Sequence, residues 1–138
     1  MRKHDTYGFV AVLCLAVLMT ACAVSIRSTI RDGALISGNV ALSVDQAERD
    51  LYATGVYDAA RHKQVGAAII VMITAVRSFE RVAAAWPEHA AMPQDVPRAM
   101  ADALAAITAV EGIIEGIPGN GKLLANLTRA RSVIGGSK

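Results

Sequence analysis

Two apolar seams constrain what this chain can fold into. Val65, Ile69, Met72, Val76, Phe79, Ala83 and Trp86 follow one another at alternating spacings of four and three without a break. That alternation places all of them on one face of a helix. Pro87 stops the run, because proline lacks the N–H that the helix ladder needs and its ring clashes with the preceding turn. Val96, Met100, Ala103, Ile107, Val110, Ile114 and Ile117 repeat the pattern. Between the two seams lies the Pro-bracketed stretch 87–94. Two matched seams joined by a short loop predict an antiparallel αα-hairpin.

Further helices are expected on either side. Ser43-Val44-Asp45-Gln46 reads as a capping box, with Val44, Ala47 and Leu51 following at helical spacing. Gly55 and Gly66 leave open whether that helix runs into the first seam. Asp95 is placed to cap the next helix, and Pro118-Gly119-Asn120-Gly121 to end it. A last helix carries Leu123, Leu127, Ala130 and Ile134 on one face. Hydrophobic residues make up 54% of the chain and aromatics 4%. Alanine supplies much of the first figure, and it favours helices over strands. The expected fold is all-α: a compact antiparallel bundle of three or four helices behind an N-terminal signal or anchor helix. The run 66–76 is apolar on all sides, which predicts the most buried helix of the bundle.

Charge excludes one class of partner. Fourteen Lys and Arg stand against twelve Asp and Glu, a net charge of +2. No basic run occurs, so the clustered charge of a nucleic-acid footprint is missing. Aromatic residues are too sparse for a stacking platform.

The N-terminus carries a different signal. Met1-Arg2-Lys3-His4 is short and basic, Phe9 to Met19 is almost wholly apolar, and small residues precede Cys22. A basic start, an apolar run and small residues form a secretory signal. Met19-Thr20-Ala21-Cys22 resembles the lipobox of bacterial lipoproteins, with Met19 where Leu is commoner. The resemblance covers the leader alone. It implies cleavage after Ala21 and acylation of Cys22, with residues 1–21 as the signal peptide. Ala23 in the next position resembles lipoproteins sent to the outer membrane. Residues 22–42 then hold the lipidated Cys and a flexible tether with scattered Ser, Thr, Gly and Asn39, a helix continuing from the leader being the alternative for part of it, and 43–138 form the folded domain. If the leader stays, Tyr7 to Ile26 is long enough to span a bilayer as one helix. Cys14 leaves with the leader and Cys22 is acylated, so the mature chain has no disulfide.

The remaining motifs read as structure. Gly116-Ile117-Pro118-Gly119-Asn120-Gly121-Lys122-Leu123 approaches the P-loop pattern, but Leu123 replaces the magnesium-binding hydroxyl and the preceding segment is helical. His62 and His89 have no second ligand at zinc spacing and read as solvated surface residues. Glu111 and Glu115 share a helix face but lack the Glu-x-x-His motif of di-iron bundles; solvent or a cation from a neighbouring helix is their expected partner. The glycosylation sequon Asn126-Leu127-Thr128 lies in an expected helix behind a bacterial leader. Trp86 is expected to plug the end of the core, the alternative being an exposed anchor for a partner at the loop end 87–94. No Ser-His-Asp or Cys-His set can be assembled. The sequence therefore predicts a lipid-anchored cell-envelope protein with no enzymatic activity, no metal, no cofactor and no small-molecule substrate. It would meet the membrane through Cys22, and a protein partner or a second copy through its bundle. The alternative is a small membrane-active protein, cellular or phage-borne, that keeps its leader as a transmembrane helix.

Overall fold

Both seams are buried as their spacing predicts, and they pack against each other. The computed structural model describes residues 3–136, with side chains from Ile26 to Gly136. Its helices are α1 (Lys3–Ala53), α2 (Ala59–Ala85), α3 (Asp95–Ile114) and α4 (Gly121–Gly135). No strand occurs among the described residues. All seven residues of the α2 seam lie in the core. On α3, Ala99 joins the core while Met100 is only half-buried, and the other six seam residues are buried. Asp95 opens α3 rather than capping it: Gln94 occupies the cap position, with no side-chain hydrogen bond there.

Each helix packs on its sequence neighbour, and α4 closes onto α1; among the described residues the backbones of the diagonal pairs do not approach closely. Short connections force this antiparallel four-helix arrangement. The loops 54–58 and 115–120 meet at one end of the bundle. There Lys122 Nζ lies 3.5 Å from Asp50 Oδ2, and Arg61 Nη2 donates to the Ile113 carbonyl at 2.6 Å. The loop 86–94 lies at the other end, where Arg27 Nε donates to the Trp86 carbonyl at 2.9 Å.

Residues 23–42 are not a tether; they belong to α1. Ala34, Ser37, Val40 and Ala41 are buried, so packing begins well before Ser43. The small residues that suggested a linker are the ones that let α1 approach its neighbours. A Cβ on Gly33 would stand 2.9 Å from the Val133 carbonyl oxygen of α4. One on Gly38 would stand 2.8 Å from Glu80 Oε2 of α2. Ser37, fully buried, donates its hydroxyl to the Ala34 carbonyl at 2.7 Å, so it brings no unsatisfied group into the core. The capping box also fails for a physical reason. Ser43 sits mid-helix, and its hydroxyl donates back to the Asn39 carbonyl at 3.3 Å.

The question of continuity after Ser43 is resolved by a break at 54–58. Gly55 adopts φ +74°, a left-handed conformation that glycine takes without strain. Asp58 then caps α2, its Oδ1 accepting from the Arg61 amide at 2.8 Å. The all-round apolar run 66–76 is not the most buried helix. Ile70 and Val71 are 64% and 62% exposed, because a helix in a four-membered ring buries only the face turned to the centre.

Candidate functional site

The most unusual chemistry in the bundle lies at the corner where α1 meets α2. Glu48 sits at the seam position four residues after Val44, and it is 2% exposed. A buried carboxylate must be hydrogen-bonded or paired. Two partners converge on its Oε1. The Nδ1 of His62, at the start of α2, lies 2.7 Å away. The hydroxyl of Tyr57, from the connecting loop, donates to the same oxygen and lies 3.3 Å from the Glu48 carbonyl oxygen. The imidazole and the phenol thus share one carboxylate oxygen. Tyr52 completes the group, stacked on the His62 ring with centroids 3.8 Å apart. The Tyr57 hydroxyl is pushed above the ordinary tyrosine range, first by burial, then by its hydrogen bond to Glu48, then by the charges of Glu48 and Tyr52.

The sequence reading missed this cluster. His62 is not a solvated surface residue: its side chain is 36% exposed, paired on one edge and stacked on one face. One signal was present. A carboxylate on an apolar seam needs a partner, and antiparallel packing around a short loop brings the start of α2 beside the end of α1. Chemically, the group can orient an imidazole and fix which nitrogen carries its proton. The hydroxyl of Thr54 donates to the Leu51 carbonyl at 2.6 Å, so this neighbouring alcohol is held in a turn. The arrangement ties the corner together.

The other candidates are dispersed. Glu111 pairs with Arg131 of α4, which also donates to Thr108 Oγ1 at 2.9 Å. Glu115 is exposed at the end of α3, and His89 is exposed in the loop 86–94. The P-loop-like stretch is a helix end and a turn: Asn120 Nδ2 donates to the Ile114 carbonyl at 2.8 Å, Gly119 has φ +77°, and Lys122 pairs with Asp50. Asn126 reaches the Ser43 carbonyl at 3.3 Å from within α4. Trp86 is 3% exposed at the end of the core, as expected. Among the described residues, no three His, Cys, Asp or Glu side chains gather as a metal site. From Ile26 to Gly136, where side chains are described, no helix is long and apolar enough to cross a membrane. The Cys22 side chain, and with it the lipidation motif, lies outside the described residues.

Comparison with protein-family models, with curated proteins and with solved structures finds no match.

Proposed function

We propose that this chain is a lipid-anchored protein of the bacterial cell envelope. It is held by acylated Cys22, faces the periplasm from the outer membrane, and serves a structural or protein-interaction role without catalysis. The observation that carries this reading is Met19-Thr20-Ala21-Cys22 at the end of an apolar run behind a basic start. The bundle supports the second half of it. Its buried Glu48 ties α1 to α2 through His62, and large apolar side chains such as Leu35, Ile70 and Val71 face outward, available to another protein. The test is the intact mass of protein from membranes, with fatty-acid labelling of the wild type and Cys22→Ser. The wild type should lack residues 1–21 and carry acyl chains, and the variant should carry none.

A second reading is favoured by the unbroken course of α1 from Lys3 through Cys22 to Ala53. A retained leader would form one transmembrane helix leading straight into the bundle, as in a small membrane-active protein. A mass that includes Met1 to Ala21 selects it.

A further inference from the structure

We propose that the α2–α3 loop is a second membrane contact, in which the uncharged tip Ala90-Ala91-Met92-Pro93 rests in the headgroup layer of the bilayer that holds the N-terminus. The proposal rests on the N-terminal anchoring proposed above; an acylated Cys22 or a span ending at Ile26 each puts the bilayer edge within about 7.5 Å of Arg27 along α1.

Three observations carry it. First, the loop is pinned beside the anchor. Arg27 donates from Nε to the Trp86 carbonyl at 2.9 Å, and its Nη1 lies 3.5 Å from Glu88 Oε1. Arg27 follows Cys22 by five positions of one helix, or about 7.5 Å along its axis. Of the three loops, this one alone lies at the anchored end. Second, the tip is built to meet an interface. The Arg27–Glu88 pair offsets the one acidic charge within the loop. Trp86 Nε1 donates to the Ala90 carbonyl at 3.0 Å and His89 turns the chain at φ +62°, which together shape the tip. Met92 is 42% exposed there, and Ile26 is 51% exposed just before Arg27 on α1. Third, the flanking charges suit headgroups. Arg31 and Arg98 stand one turn inside, with Asp32, Glu80 and Asp95 as the opposing charges and His89 at the bend. Short apolar tips backed by arginine sit well at a lipid interface, where the guanidinium groups meet phosphates. The outward Ile70 and Val71 lie several turns farther along the bundle and are out of reach of the same surface.

The test uses full-length protein purified from membranes and returned to vesicles of phosphatidylethanolamine and phosphatidylglycerol. Met92→Cys and Val56→Cys are each labelled with a polarity-sensitive nitrobenzoxadiazole thiol reagent, and the wild type serves as the labelling blank. Both positions are exposed, so neither change threatens the core. Flotation reads the anchor, and emission reads the loop. The expected result is flotation of both variants, with a blue shift and brighter emission at position 92 and aqueous emission at 56. Flotation with aqueous emission at 92 overturns the loop contact and leaves the anchor standing. Failure to float overturns both. A blue shift at both positions overturns the proposal in favour of a bundle lying along the surface. Position 92 shielded in native membranes but aqueous on vesicles overturns it in favour of a protein partner.

Discussion

The Nδ1 of His62 lies 2.7 Å from Oε1 of Glu48, a carboxylate whose side chain is 2% exposed. Fourteen residues separate the two in sequence, and their contact closes the α1–α2 corner. Loss of one partner strands the other. His62→Ala is expected to destabilise the fold by about 1–3 kcal/mol, the desolvation cost of a buried polar group that loses its partner. Tyr57 stays on the same oxygen and keeps the figure below that of a wholly unpaired charge. The double variant Glu48→Leu, His62→Ala should cost less than the sum of the single changes. Urea unfolding of the four proteins measures this, and strict additivity would show that the contact contributes nothing.

Tyr57 makes the same corner sensitive to alkali. Its hydroxyl is held above the ordinary range, so the folded state keeps the proton where the unfolded state releases it. Stability from this group is fully present below about pH 10, the ordinary tyrosine value, and is lost as pH rises beyond it. Thermal melts from pH 8 to 11 should therefore fall more steeply for the wild type than for Tyr57→Phe. Parallel curves would assign the alkaline loss to other groups.

Gly33 and Gly66 are both helical and should respond in opposite directions. A methyl group at Gly33 meets the Val133 backbone carbonyl at 2.9 Å, which cannot swing aside as a side chain would. Gly33→Ala is expected to lose about 1–3 kcal/mol through displaced backbone. A methyl group at Gly66 has open space around it. Gly66→Ala should gain about 0.5–1 kcal/mol from helix propensity and a less flexible unfolded chain. Equal melting temperatures for the two variants would refute the close approach of α1 to α4.

Trp86 belongs to the core and to the loop end at once. Trp86→Ala should cost about 3–5 kcal/mol, as the loss of a large buried side chain does. Its indole N–H also releases the Ala90 carbonyl. Circular dichroism melts decide this, and an unchanged melting temperature would remove Trp86 from the core.

How much of this was legible in the sequence depended on side-chain size. The α2, α3 and α4 seams were readable because Ile, Val, Leu, Met and Phe mark their buried face. The α1 seam was legible only from Val44 onward, where Val44, Ala47 and Leu51 mark it; before that, Gly33, Ala34, Ser37, Gly38 and Ala41 resemble a linker in composition. Small residues carry little hydrophobic signal, and their value appears only when a second helix lies 2.9 Å from where a Cβ would be. The Glu48 corner was hidden for another reason. Its members come from α1, the loop and α2, and the break at Gly55 that brings them together was itself undecided. The Glu111–Arg131 pair could be anticipated in kind, since a half-buried glutamate in a bundle seeks a cation from the next helix.

The unbroken course of α1 works as a ruler. A disordered stretch of about 20 residues would let a domain wander within roughly 25 Å of its attachment point, in any direction. A helix from Cys22 to Ala53 instead sets the Glu48–His62 corner at a fixed height, with Ala53 about 47 Å from Cys22 along the axis. For a domain anchored at Cys22, that corner stays at one distance from the anchor, and a partner meets it with the helices in one arrangement. Insertions or deletions before Ile30 that are not whole turns would rotate the bundle about its axis, by about 100° for each residue.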